Sequence, residues 1–116
     1  MTDIDKDIVA AFKKKSLNLI EASQVDTNNI PPYITYKLTN DIQDSNAYGK
    51  TVKYSTVSYD LEIWETDKKA LKNKINITDK TMSELGFIRT NVVNQDYLNL
   101  YRTQRTYEIY LKERND

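Results

Sequence analysis

Residues 50–64, KTVKYSTVSYDLEIW, decide the fold, because apolar and polar side chains alternate along them. The apolar positions are Val57, Tyr59, Leu61 and Ile63, and the polar positions between them are Thr56, Ser58, Asp60 and Glu62. Successive side chains of a β-strand point to opposite faces of the sheet. The pattern therefore predicts a strand that is buried on one face only.

This strand is followed by a predicted helix that ends at a glycine cap. Thr66 or Asp67 suits the helix start, and an apolar stripe then runs through Ala70, Leu71, Ile75, Met82 and Leu85. Gly86 stands where a left-handed C-terminal cap is needed, with Phe87 to supply the apolar contact that accompanies such a cap. Two strands are predicted to close the chain, over residues 87–93 and about 100–111, with a connection at 94–96.

The first part of the chain predicts a helix from Asp3 to Lys15, since apolar residues recur there every three or four positions. Residues 16–20 could extend this helix or form a short strand. Pro31 and Pro32 exclude a helix, and residues 33–38 predict a strand that begins after them.

Residues 39–49 are rich in Asn, Asp, Ser and Gln, so we expect a long polar loop at about residues 39–50. It could be a mobile connector or a contact to a partner. Together these elements predict a single α+β domain over residues 1–116: a two-layer sandwich in which a mostly antiparallel sheet of about four strands packs against two helices, in the order α-β-β-α-β-β.

The charge balance and the missing residue types limit the classes of function that this sequence can have. Lys and Arg number 17, as do Asp and Glu, so no net charge draws the chain to nucleic acid or to an anionic membrane. Cys and His are absent from the sequence, so it has no thiolate ligands, and it lacks the commonest general base and the commonest metal ligand. The polar N-terminus and the lack of a long apolar run favour a protein of the cytosol.

Paired carboxylates are the nearest approach to a catalytic motif. Asp60 and Glu62 share one strand face, but we expect them to face Arg102, Arg105 or Lys53 across strands rather than to perform catalysis. Asp3, Asp5 and Asp7 lack the glycine turn of a calcium loop and complement the helix dipole instead. We therefore expect no enzyme activity, no cofactor and no metal site.

Aromatic residues allow two interpretations. Nine tyrosines against two phenylalanines could tile the sheet or form subunit interfaces. Trp64 could likewise pack on the helix start or anchor an interface. The basic clusters at residues 13–15, 68–69 and 72–74 are not joined to an aromatic RNA-binding motif, so direct nucleic-acid binding is not expected.

The element order and two stretches, VSYDLEIW at residues 57–64 and MSELGFIR at 82–89, followed by LYR at 100–102, resemble the tail terminator and tail-completion (head-tail joining) proteins of long-tailed bacteriophages and related tail-like particles. The resemblance covers residues 3–111. It implies a virion structural protein, assembled in the host cytoplasm and located in the tail or neck. Such proteins form a hexameric ring that caps the tail tube.

The resemblance also implies partners: further copies of this chain, the tail-tube protein, the head connector or neck protein, and the sheath if the tail is contractile, with no membrane. The candidate residues for the subunit or tube interface are Asp41, Asp44, Tyr48, Lys50, Lys53, Arg102 and Arg105. An alternative hypothesis from another class is a small monomeric or dimeric module that binds a ligand or nucleic acid through its tyrosines and basic helices.

Overall fold

The computed structural model describes residues 4–45, 52–97 and 100–114. Its elements, in chain order, are α1 (Ile4–Lys14), β1 (Leu19–Glu21), a short 3-10 helix (Ala22–Gln24), β2 (Tyr33–Ser45), β3 (Val52–Glu65), α2 (Lys68–Glu84), β4 (Ile88–Tyr97) and β5 (Leu100–Arg114). The five strands form one sheet in the order β1-β2-β3-β5-β4. The α+β class and the two helices are confirmed.

The sheet has five strands and is mixed, so the expectation of about four strands in the order α-β-β-α-β-β was incomplete. The extra strand is β1, which pairs in parallel with β2 through Leu19↔Ile34, Ile20↔Thr35 and Glu21↔Tyr36. The other pairs are antiparallel. A three-residue strand carries almost no periodicity, and its partner lies fifteen positions further on, so the local sequence could not decide it.

The expected loop at residues 39–50 was wrong over residues 39–45, which continue β2. Their backbone pairs with β3 from Asn40↔Ser58 to Ser45↔Lys53, after a register shift between Leu38 and Asn40. Pairing with the well-formed strand β3 outweighs the poor β-propensity of Asn and Asp. For the same reason β4 runs through the expected connection at 94–96 and ends at Tyr97. Residues 46–51 lie outside the described residues, as do residues 1–3 at the predicted start of the first helix.

Both helices lie on one face of the sheet. The core between the layers comes from α1, α2, β3, β5 and the residue before β4. Its buried members are Ile8, Phe12, Val57, Tyr59, Leu61, Met82, Phe87 and Tyr107. The rings of Tyr59 and Phe87 meet edge to face at 6.0 Å, and the Tyr59 hydroxyl donates to the Asp5 carboxylate. The alternation in residues 57–63 thus sets which face the helices cover.

Each helix ends at a residue in the left-handed backbone conformation. Gly86 has φ 96°, and the N–H groups of Gly86 and Phe87 donate to the carbonyls of Ser83 (3.0 Å) and Met82 (2.9 Å), so the predicted cap is confirmed as a Schellman motif. Ser16 ends α1 in the same way with φ 63°, and the Leu17 N–H donates to the Phe12 carbonyl at 3.0 Å. This turn directs the chain into β1.

A buried ion pair fixes α2 to the end of β3. The Glu65 side chain is buried, and its Oε2 accepts from Lys74 Nζ at 2.6 Å. Its Oε1 accepts from the Thr66 N–H at 2.9 Å. Burial by itself raises the pKa of the Glu65 carboxyl, but the hydrogen bonds from Lys74 and Thr66 and the Lys74 charge together hold it below its ordinary value.

The Glu65 pair predicts a specific acid sensitivity. Because the folded-state pKa of Glu65 is lowered, the pair stabilises the fold above about pH 4.5, and this stabilisation is lost as the pH falls through the folded-state pKa. Urea unfolding across pH 3–6 should therefore show a smaller acid-induced loss of stability in Glu65→Gln than in the wild type. The control, Glu84→Gln on the exposed surface of α2, should follow the wild type. Equal losses in all three proteins would contradict this role of Glu65.

Candidate functional site: the open face and the edges of the sheet

The face of the sheet opposite the helices carries a network of polar side chains. It runs across three neighbouring strands, with Ser58, Asp60, Glu62 and Trp64 from β3, Arg102, Gln104, Thr106 and Glu108 from β5, and Gln95 from β4. An antiparallel sheet can leave one face to solvent when that face is polar. We call this surface the open face.

The strongest contacts of the open face surround Arg102. Its Nη2 donates to Glu62 Oε1 at 2.9 Å and its Nε donates to Glu62 Oε2 at 3.2 Å, so the guanidinium holds the carboxylate with two nitrogens. The guanidinium also lies 5.3 Å from the centre of the Trp64 ring. Tyr33 of β2 extends this aromatic group, with its ring centre 6.1 Å from that of Trp64.

A second set of hydrogen bonds continues along the same face. Asp60 accepts from Thr106 Oγ1 at 2.6 Å and from Gln104 Nε2 at 3.0 Å. Ser58 Oγ donates to Glu108 Oε1 at 3.1 Å. The expectation that these carboxylates face Arg102, Arg105 or Lys53 is confirmed for Glu62, which meets Arg102, whereas Asp60 meets the neutral side chains of Gln104 and Thr106. These two carboxylates are therefore held in cross-strand contacts.

The predicted interface residues do not form one group. Arg102 lies on the open face, whereas Arg105 lies on the helix-covered face, where its neighbour across β3 is Leu61. Asp41 and Asp44 lie on β2 and Lys53 lies on β3. All three are in the part of the sheet that extends past the first residue of β4. Tyr48 and Lys50 lie outside the described residues.

A charged cluster on the helix-covered face escaped the sequence analysis. Asp79 of α2 accepts from Arg105 Nη1 (2.9 Å), Arg89 Nη1 (2.8 Å) and the Tyr107 hydroxyl (2.6 Å). Burial, together with the Asp79 carboxylate, raises the pKa of the Tyr107 hydroxyl well above its ordinary value, so Tyr107 stays protonated. Asp79 stands four residues after Ile75 and three before Met82, and a carboxylate inside an apolar stripe was the signal that could have revealed the cluster.

Each outer edge of the sheet carries backbone that the described strands leave wholly or partly unpaired. On one side, β4 presents its outer edge from Ile88 to Tyr97. On the other side, β1 covers only residues 34–36 of β2, and the outer edge of β2 has no pairing strand from residue 37 to residue 45 among the described residues. Unpaired edges of this length can template pairing with another chain.

Two exposed apolar side chains lie beside the β4 edge. Ile88 and Val93, on the open-face side of β4, are 60% and 44% exposed.

Within the described residues no group of three acidic side chains is placed to hold a metal ion, and no described helix is long and apolar enough to cross a membrane.

No protein-family model matches the chain, and no curated protein sequence matches it significantly.

The Arg102–Glu62 contact predicts a measurable coupling. A double-mutant cycle with Arg102→Ala and Glu62→Ala should give an interaction energy of about 1 kcal/mol, because the pair is forked and partly buried. The control cycle uses Lys15 and Glu84, whose charged atoms are 3.8 Å apart on an exposed surface. That cycle should give about 0–0.3 kcal/mol. Equal coupling in the two cycles would show that the open-face pair has no special role.

Proposed function

We propose that this chain is a structural subunit of a closed ring, of the phage tail terminator type, and not an enzyme. In this proposal the β4 edge of each copy pairs with the β1–β2 edge of the next. The ring caps a tail tube and joins it to the head connector in the virion neck. The hexameric size and these partners rest on the sequence resemblance alone.

The observation that carries the proposal is the direction of the two edges. Because β2 is antiparallel to β3, β3 to β5 and β5 to β4, the strands β1 and β2 run opposite to β4. When a second copy stands beside the first in the same orientation, its β1–β2 edge therefore meets β4 in the antiparallel sense. Its helices also lie on the same side of the extended sheet.

Such a contact joins two different surfaces, so it is heterologous and propagates from copy to copy. A heterologous contact closes into a ring when the rotation between neighbours divides a full turn. The lengths also agree, since β4 has 10 residues and the outer edge of β2 is open from residue 37 to residue 45. The offset between these two stretches requires neighbouring copies to stagger along the strand direction, as strands do in closed barrels.

The ring proposal predicts that lysines on the β4 edge block assembly. In the double variant Ile88→Lys/Val93→Lys, charge along the edge opposes pairing with a neighbouring strand. We expect the wild type to form a ring, alone at high concentration or with tail-tube protein, in light scattering and electron microscopy. The double variant should remain a monomer under the same conditions.

The matched control is Asn73→Lys/Asn76→Lys, which adds the same charge at two exposed residues of α2, in the helix layer and not on a strand edge. It should assemble like the wild type. A wild type that stays a monomer at every concentration and salt, and that never caps tubes, would contradict the proposal. Equal loss of assembly in both double variants would contradict the assigned edge.

A second candidate function is a binding module for single-stranded nucleic acid or an aromatic ligand. The observation that favours it is the group formed by Tyr33, Trp64 and Arg102 on the open face, since bases stack on aromatic rings and guanidinium planes. Salt-sensitive binding of single strands by the monomer, lost in Trp64→Ala, would favour this function over the ring.

A further inference from the structure

The Asp79 cluster contains more positive than negative charge. One carboxylate accepts from two guanidinium groups, those of Arg89 and Arg105, and from the neutral hydroxyl of Tyr107. Arg105 is 8% exposed, and its Nε is a buried donor without a hydrogen-bond partner. Burying charge without full compensation is costly. Two guanidinium groups against one carboxylate give the cluster a local excess of one positive charge.

An open cleft lies directly beside this cluster. It has a volume of about 300 Å³ and is lined by Asp79, Ser83, Phe87, Ile88, Arg89 and Tyr107. Arg89 is the only cationic residue of this lining within the described part of the chain. Its side chain is 47% exposed, so solutes can reach it.

Arg89 retains free donors on the cleft side of the cluster. A guanidinium carries five N–H groups in a planar fork. Within the described residues, the only side-chain hydrogen bond of Arg89 runs from Nη1 to Asp79 Oδ2, at 2.8 Å. The N–H groups of Nε and Nη2 therefore remain for a second acceptor, while the bond to Asp79 restrains the guanidinium. The Ser83 hydroxyl, in the same lining, can donate as well.

We propose that this cleft binds a single oxyanion, a carboxylate or a phosphate, on the free N–H groups of Arg89. A guanidinium fork matches the two oxygens of such a group. The positive charge of Arg105 behind Asp79 favours the same ligand through space. The oxyanion can be a free ion or the side chain of an acidic residue on a partner, since both present the same group to Arg89.

The site is contained within one chain, so it can be tested on the monomer and independently of ring formation. The experiment follows the Nε–Hε signals of ¹⁵N-labelled protein by NMR at constant ionic strength. Three solutes are added separately: inorganic phosphate, a blocked peptide with one aspartate, and sodium chloride as the control. The Arg102 Nε–Hε signal serves as an internal reference, because Arg102 lies on the open face.

We expect phosphate, the aspartate peptide or both to shift the Arg89 signal in a saturable way, while chloride and the Arg102 signal show no saturable change. Tighter binding of the peptide identifies a protein partner, and tighter binding of phosphate identifies a free ion. Binding, followed on the neighbouring backbone amide signals of residues 83–88, should weaken by about tenfold in Arg89→Gln. It should stay within about twofold in Lys80→Gln, which removes one exposed positive charge from α2 beside Asp79.

Absence of a saturable shift with both oxyanions would overturn the proposal. An equal weakening in Arg89→Gln and Lys80→Gln would also overturn it, because that result indicates general charge attraction. Arg89→Lys keeps the charge but loses the fork and should bind more weakly than the wild type. The wild-type titration stands by itself if a variant fails to fold.

Discussion

The antiparallel pairing of β3 with β5 is the interaction on which the rest of the structure depends. It runs without a register shift from Val52↔Arg114 to Glu65↔Tyr101. A register shift of one residue would move every side chain of a strand to the other face. The pairing therefore fixes at once which side chains form the core under the helices and which form the polar network of the open face.

The two faces of the sheet hold their charged side chains in different ways. On the covered face, Tyr107 and Arg105 of β5 share Asp79 of α2, which joins a polar cluster to the apolar core. On the open face, no described layer covers the sheet, and forked and cross-strand hydrogen bonds satisfy the charged groups instead. In the proposed ring, copies of the chain meet at the strand edges and not on either face.

Much of the fold followed from local patterns. The alternation in residues 57–63 identified β3 and its buried face, and Asp67 and Gly86 marked the ends of α2 through capping chemistry. Features that depend on distant partners could not be predicted in this way. The extension of β2 exists because β3 offers a partner, and β1 exists because β2 does.

The contacts of the candidate site also divide into those that local sequence patterns predict and those that depend on distant partners. The contact of Glu62 with a basic residue across the sheet followed from strand alternation. The odd spacing of Arg102 and Arg105 likewise puts them on opposite faces of β5, so only Arg102 meets Glu62. The Asp79 cluster required knowledge of how α2 docks on β4 and β5. Helix docking is a tertiary event that no single segment encodes.

The central claim is that copies of this chain join through the outer edge of β4. Amide hydrogen exchange, measured by NMR or mass spectrometry on the monomer and on the assembled particle, tests it most directly. The account predicts that the amides of Ile88–Tyr97 that point away from β5 become at least about tenfold more protected on assembly, while those of the central strand β3 change little. An assembled particle whose β4 amides exchange as fast as in the monomer would contradict the account.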